Sequence, residues 1–471
     1  MNIKFGTDGW RAVIGEDFTF ENIKIVSQAI AEYIKKQWVK GRTQGAVVGY
    51  DTRFMGKEFA DVVVTVLAGN GIKVFLSKEP TSTPALSLSV KQNKLIGGIM
   101  ITASHNPPRY SGLKYKGAYA GPADPEDIRE IESFLGKGRI VETSKEEAKK
   151  AGLLKEVDLN KPHFEFLKSY VNMALLKNAK FKILVDVMYG AGDHLIQNIL
   201  KDSKCEVKTI HAELNPAFGG TPPEPIECNL TELIGMVKGE GYDIGLATDG
   251  DADRIGVISC GGEFITSSQV IALLLVHFVE DKKWTGSVVK TISGSFLIDE
   301  IAKGYKLKLH ETAVGFKYIC RLMQTEDVLL GGEESGGIGF KKYVPERDGT
   351  LAGLLLLEMM AYRKKSITQI LRDIEKRFGK FVQKRLDLRC PEEKKTALFA
   401  FIKERPPTNL LGTKIVQTIT YDGVKFIAAD KSWILFRSSG TEPILRIYCE
   451  ADSAGKVKKL LELGKAMVLN V

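Results

Sequence analysis

No apolar run in this 471-residue chain is long enough to cross a membrane. The longest, IALLLVHFV from Ile271 and LAGLLLLEMMA from Leu351, fall short of the ~18 residues a spanning helix needs, and the second carries Glu358. The opening MNIKFGTDGW has no basic segment followed by an apolar one, so no secretory signal is expected. Cysteine is sparse: Cys205, Cys228, Cys260, Cys320, Cys390 and Cys449 lie far apart with no C-x-x-C pair. That spacing predicts buried, reduced thiols in a cytoplasmic protein. Neither GxxxxGK[ST] nor a complete GxGxxG occurs, which leaves nucleotide binding of those two kinds unsupported. The net charge of +9 comes without any long basic tract, so neither a nucleic-acid nor a membrane partner is expected. A mild positive excess suits a phosphorylated small molecule instead, because a basic cleft focuses field on anions.

What the chain does have is length, 44% hydrophobic residues and a recurring pattern. At roughly 150 residues per domain, three or four domains are expected. The strand-like AVVGYD (Ala46 to Asp51), a helical stretch through Val62 and Leu67, and IKVFL (Ile72 to Leu76) make a βαβ unit. The order recurs from KILVDV (Lys182) through CEVKTI, and from SVVKTI (Ser287) through FLIDEIAKG and YKLKLH. Three related α/β domains with mixed sheets are therefore predicted, at 1–150, 151–262 and 263–378. Within these, Gly136 to Asn160 reads as a helix and linker, and the third unit opens near Phe264. After Gly379 the texture changes to TKIVQTITYD, GVKFIAA, SWILFR and ILRIYCEAD, then one amphipathic helix. That predicts a smaller, mostly antiparallel α+β domain over 379–471.

Each unit carries a distinctive polar loop. Thr102-Ala103-Ser104-His105-Asn106-Pro107 follows the apolar run from Leu95 to Ile101, and Pro107 and Pro108 block a helix there. Ser104 is expected on an exposed loop at a strand's carboxyl end, either as chemistry or as a capped turn. In ATDGDADR, Asp249, Asp251 and Asp253 alternate with small residues, and in an extended loop their carboxylates converge on one hard cation, which favours magnesium. A calcium EF-hand fails, since its sixth position is Arg254 and its twelfth Cys260. Gly332-Glu333-Glu334-Ser335-Gly336-Gly337 offers acceptors and a hydroxyl of the kind sugar hydroxyls need. It is not a G-x-S-x-G elbow. Arg437-Ser438-Ser439-Gly440-Thr441-Glu442-Pro443 combines an arginine fork, hydroxyls and backbone N–H groups around a glycine, a nest for a phosphate dianion. Arg11, in the glycine-flanked GTDGWR, reads as a loop residue before an amphipathic helix.

Together, TASHNP, DGDADR, GEESGG and RSSGTEP resemble, in order and one per domain, the phosphohexomutase superfamily of phosphoglucomutases and phosphomannomutases. The resemblance implies four domains around a central cleft, with Ser104 as the phosphoserine. It implies magnesium on Asp249, Asp251 and Asp253, with the group on Ser104 completing the shell. Glu333 and Ser335 would hold sugar hydroxyls, and Arg437, Ser439, Gly440 and Thr441 the phosphate. Arg11, Lys114 and Arg254 fall at positions the family uses around the phosphoryl group. Some bacterial members carry a histidine where this chain has Gly337. Lys317 in TAVGFKYI matches a glycine-aromatic-lysine segment of phosphoglucomutases and is the implied acid/base, with His105 and Lys114 as alternatives. The implied activity is interconversion of hexose 1- and 6-phosphates, glucose foremost and mannose also, with glucose 1,6-bisphosphate as activator, in a cytoplasmic monomer or dimer. A phosphoglucosamine mutase, a metal-dependent sugar phosphatase and a non-enzymatic sugar-phosphate sensor are the rival readings.

Overall fold

Strands buried on both faces read as continuous apolar runs, and such runs form the inner strands of the first three sheets. Gly45–Tyr50, Gly97–Ile101, Lys182–Asp186, Ile244–Thr248, Ser287–Thr291 and Val328–Gly332 are almost wholly buried. The structure, a computed structural model, describes residues 3–6, 8–38, 45–438 and 444–469.

The first sheet has six strands. Gly45–Tyr50 lies between Lys73–Ser77 and Gly97–Ile101, parallel to both, and Tyr110–Gly117 returns antiparallel beside Gly97–Ile101. The second sheet repeats this plan: Lys182–Asp186 is parallel to Glu206–Ile210 and Ile244–Thr248, and Ile255–Ser259 returns antiparallel. So does the third, with Ser287–Thr291 between Leu309–Thr312 and Val328–Gly332, and Ile338–Phe340 returning. The fourth sheet is antiparallel throughout. The apolar run from Leu351 is the helix Gly349–Arg363, which is hydrophobic on nearly every side because it is buried on nearly every side. Among the described residues, no helix is long and apolar enough to cross a membrane.

Several expectations shift. Gly136 to Asn160 holds the expected helix, Lys145–Lys150, but the rest is more than a linker, because Leu154–Val157 pairs parallel to Lys73–Ser77 as an edge strand of the first sheet, beyond residue 150. Only Leu154 of that strand is buried, so its sequence lacks an apolar signal. Phe264–Ile265 pairs with Ile255–Ser259 and so belongs to the second sheet, not to the third. The strand expected in YKLKLH begins only at Leu309, since it is a half-buried edge. Arg11 lies in the strand Trp10–Val13, paired to Tyr110–Gly117, and not in a surface loop. The fourth unit adds Val382–Arg389 and the helix Glu392–Glu404, whose sparse buried positions hid both. All six cysteines are free as expected, but Cys228 and Cys260 are exposed and Cys205 is only partly covered.

The fourth unit meets the third through a fully buried cation. Lys425 Nζ donates to the Ile292 carbonyl at 2.6 Å and lies 4.2 Å from the Trp433 ring, with Glu311 at 3.7 Å. Burial, reinforced by the neighbouring Lys290 charge, pushes its pKa down from 10.5 to about 8. Between those values the unfolded chain binds a proton that the folded chain has released, so stability rises with pH across that window, and the full cost is carried below about 8. Thermal unfolding from pH 7.5 to 10 should show this rise in the parent protein and a flattened one in Lys425→Met. Equal pH dependence in both would contradict it.

Candidate active site

Three of the polar loops occupy one topological position. Each leaves the carboxyl end of an inner parallel strand and returns as the antiparallel hairpin partner: Ile101 to Tyr110, Thr248 to Ile255 and Gly332 to Ile338. That is where α/β sheets place ligands. Backbone hydrogen bonds stitch the loops together, from Ile255 N–H to the Gly336 carbonyl at 3.1 Å and from Gly349 N–H to the Ala252 carbonyl at 3.1 Å. Thr83 N–H donates to the Asp251 carbonyl at 3.0 Å. Gly250 is needed for the fit, because a Cβ there would lie 2.5 Å from the Ser104 carbonyl oxygen.

The three aspartates do converge, but on a tight turn and not on extended chain. Ala252 adopts φ 57°, and Asp249 Oδ1 accepts the backbone N–H groups of Asp253 at 2.9 Å and Arg254 at 3.1 Å. Their oxygens lie within 4.8 Å of one another, and all three residues are buried. Asp251 Oδ2 accepts from Thr83 Oγ1 and from Lys114 Nζ at 2.7 Å. Asp253 Oδ2 faces Lys114 at 3.2 Å and Arg347 at 2.6 Å. The other oxygens, Oδ1 of Asp251 and of Asp253, are buried without a hydrogen-bond partner. A buried acceptor without a donor is costly, and three carboxylates around such open positions suit a hard divalent cation. Burial, with the charges of Asp251 and Asp253, raises the Asp249 pKa well above the usual carboxylate range. For Asp251, burial works in the same direction, but Lys114 and the Thr83 hydroxyl outweigh it and lower the pKa.

Ser104 is not on an exposed loop: it is 1% exposed, covered by the second unit's turn. Its Oγ donates to Asp249 Oδ2 at 2.7 Å, and its backbone sits in the left-handed region at φ 52°. His105 Nδ1 lies 3.5 Å from that Oγ, and burial among Arg254, Arg11 and Lys114 keeps the imidazole neutral by pushing its pKa well down. Arg11 Nη1 donates to Asn106 Oδ1 at 2.6 Å. Arg254 Nε stands 3.9 Å from both Asp249 and Asp253. Lys114 is held as an ammonium, because the carboxylates of Asp251, Asp253 and Asp8 outweigh burial and raise its pKa.

Glu333 is buried, with Oε1 accepting Gly315 N–H at 3.0 Å and Oε2 3.6 Å from Arg347. Burial first, then the Glu334 charge, lift its pKa to about 7 against the pull of Arg347. The Gly315 contact joins the loop carrying Glu333 to the helix Phe316–Thr325, where Lys317 lines a cavity of ≈ 160 Å³ with Asp8, Gly9 and Tyr115. Ser335 is partly exposed in the same turn as Glu333. Arg437 pairs through Nε with Asp422 at 3.0 Å, while Ser439, Gly440 and Thr441 lie outside the described residues. Sequence reasoning missed Thr83, Asp8 and Arg347. Asp8 lies in the glycine-flanked loop that drew attention only to Arg11, and Arg347 precedes the N-capping Asp348.

Family models describing the phosphoglucomutase/phosphomannomutase domains match in order: domain I over 2–140, domain II over 161–262, domain III over 266–378 and the C-terminal domain over 386–463. The chain belongs to the phosphoglucomutase/phosphomannomutase family. It is accordingly an isomerase of the phosphohexomutase type. A phosphoglucomutase/phosphomannomutase of Thermococcus kodakarensis is 33% identical over 98% of both chains. A phosphoglucosamine/phosphogalactosamine mutase of Sulfurisphaera tokodaii is 30% identical over 99% of both. A solved structure from Thermus thermophilus, assigned as a phosphomannomutase, superposes with a TM-score of 0.87 at 35% identity, covering 100% of this chain and 99% of that one.

Within this phosphohexomutase, Arg347 explains Gly337. A Cβ at 337 would lie 2.3 Å from Arg347 Cδ, so any larger residue would displace the guanidinium that joins Asp8, Asp253 and Glu333. The open oxygens of the aspartate turn yield a test that needs no turnover. Saturating Mg²⁺ should raise the unfolding temperature, since a ligand at about 100 times its Kd adds roughly 2.7 kcal/mol to the folded state. Asp251→Asn should lose most of that shift, whereas equal shifts in both proteins would place the cation elsewhere.

Proposed function

We propose that this phosphohexomutase takes glucose 1-phosphate as its best substrate, turns over mannose 1-phosphate more slowly, and carries the travelling phosphoryl group on Ser104. The observation that supports this most directly is the 2.7 Å contact of Ser104 Oγ with one of three clustered, buried aspartates. When bound to Asp249, Asp251 and Asp253, Mg²⁺ supplies charge neutralisation for a transferring phosphoryl group. The chain's own cations are proposed to supply the rest: Lys114 beside Asp251, Arg254 beside Asp249 and Arg11 beside Asn106 would cover the equatorial oxygens.

In the forward step the sugar's free hydroxyl oxygen bonds to phosphorus, and the bond from phosphorus to Ser104 Oγ breaks with its electron pair staying on that oxygen. The hydroxyl proton passes to a base of the chain and a proton is delivered to Ser104 Oγ, so the step closes with a neutral serine hydroxyl and no net change in charge. Lys317 is the proposed acid/base, because it faces the cavity beside Asp8 while Lys114 is tied as an ammonium to Asp251 and Asp253. His105 is the alternative nearest the serine. The bisphosphorylated sugar then turns over and returns its other phosphoryl group to Ser104. Glucose 1,6-bisphosphate is the proposed activator because it phosphorylates Ser104 directly. Arg437, Ser439, Gly440 and Thr441 anchor the phosphate that is not moving.

Glu333 and Ser335 are proposed to hold the 3- and 4-hydroxyls. Those have the same configuration in glucose, mannose and glucosamine, so this loop leaves carbon 2 unread. A second reading, phosphoglucosamine mutase, is favoured by the names of the Sulfurisphaera tokodaii and Methanococcus maripaludis relatives, the latter 28% identical.

One assay separates the readings. Each hexose 1-phosphate is incubated with protein, Mg²⁺ and a trace of the bisphosphate, and 6-phosphate and free phosphate are measured. Glucose 1-phosphate should give 6-phosphate without free phosphate, and release of free phosphate instead would identify a phosphatase. A strong preference for glucosamine phosphate would favour the second reading. Galactose 1-phosphate, with its 4-hydroxyl inverted, should lose about 10⁴-fold in kcat/KM, as sites built around a hydroxyl do. Equal use of galactose would show that Glu333 and Ser335 do not read that position. Ser104→Ala should abolish isomerisation, and wild-type protein alone should carry the mass of one phosphate. Full activity in the alanine variant would end the assignment of Ser104.

A further inference from the structure

Another buried cation gathers the serine loop. Arg53 stands just past the strand Gly45–Tyr50, its side chain fully buried. Its Nη1 donates to the carbonyls of Pro107 at 3.0 Å and Tyr110 at 2.9 Å. Its Nη2 donates to those of Ser104 and Asn106, both at 2.7 Å. Four carbonyls spanning 104–110 thus converge on one guanidinium, while Nε faces Asp51 at 3.3 Å. Arg53 has no free Nη donor for a phosphate, and the Phe218 ring covers it at 4.9 Å.

Asp51 completes the device. Its Oδ2 accepts Thr102 Oγ1 at 2.5 Å, and Thr102 Oγ1 accepts Ser104 N–H at 2.8 Å. Ser104 is therefore bound on both sides of its Cα, through its N–H by Thr102 and through its carbonyl by Arg53. Left-handed φ costs a non-glycine residue of order 1–3 kcal/mol and persists only where its surroundings over-determine it. Here the surroundings are Asp51 and Arg53, two residues apart on one strand end, with Phe218 and Gly250 of the second unit packed against the same loop.

We infer that Arg53, held by Asp51, is a positioning residue for phosphoryl transfer: it fixes the left-handed Ser104 backbone and so aims Oγ at the aspartate cluster. This rests on Ser104 being the phosphoryl carrier. Lysine cannot replace it, since one ammonium on a shorter reach has three donors and no planar fork for four carbonyls. A displacement of about 1 Å at a reacting atom costs on the order of 10²-fold in rate. The sugar's own contacts, on other loops, are untouched.

The test uses full-length Arg53→Ala and Arg53→Lys, with kcat and KM for glucose 1-phosphate, the phosphate carried on the Ser104 peptide, and unfolding temperature measured on each. Both variants should remain folded and lose about 10²-fold in kcat, with KM within about threefold of wild type. Guanidinium ion at non-denaturing concentration should restore part of kcat in Arg53→Ala and none in Arg53→Lys, where the amine fills the space. Wild-type kcat in either folded variant, no response of Arg53→Ala to guanidinium, or loss of folded protein in both would overturn the positioning role. Absence of phosphate from the wild-type Ser104 peptide would instead overturn the carrier assignment and this inference with it, so the two failures are told apart by the wild-type sample alone.

Discussion

The structure depends on placing three carboxylates within 4.8 Å of one another out of contact with water. Such charges repel strongly where the dielectric is low, and the cost must be met by cations and hydrogen bonds from outside the turn that carries them. Lys114 reaches in from the first unit and Arg347 from the third, while Arg254 stands beside the turn itself. Asp8 in turn bridges Lys114 and Arg347. The electrostatic requirement of one loop therefore holds three α/β units in register around it. The two carboxylate oxygens left without partners mark where this compensation stops and a divalent cation fits.

The same network extends from the aspartate turn to the loop that carries Glu333. Arg347 touches Asp253 and approaches Glu333, so a charge change in the aspartate turn is felt by the acid that is proposed to read the sugar. Gly337 is the concession that makes room for it. Glu333 N–H also bonds the Gly337 carbonyl at 3.0 Å, which closes the loop rigidly around the arginine.

Much of this was legible in the sequence. The inner strands announced themselves as apolar runs with polar loops behind them, and the convergence of Asp249, Asp251 and Asp253 was expected from their spacing, although on extended chain and not on the tight turn that Ala252 makes. Edge strands were not, because Leu154–Val157 and Val382–Arg389 bury too little for a pattern to form. Ser104 was expected to be exposed since its own neighbours are polar and two prolines follow it. What packs against it is the turn with Asp249 and Gly250, about 150 residues away, and no local signal reports a contact of that kind. Arg53 and Asp51 were passed over for a similar reason: a charged pair closing a strand looks like a surface turn until the 104–110 carbonyls are seen to converge on it.

The central claim is that the phosphoryl group on Ser104 is an intermediate and not a storage mark. Protein labelled at Ser104 with radioactive phosphate, mixed with Mg²⁺ and excess unlabelled glucose 1-phosphate and quenched at times spanning one turnover, tests it most directly. The label should leave the serine for hexose phosphate at least as fast as kcat. A label that stays on Ser104 through many turnovers would contradict the account.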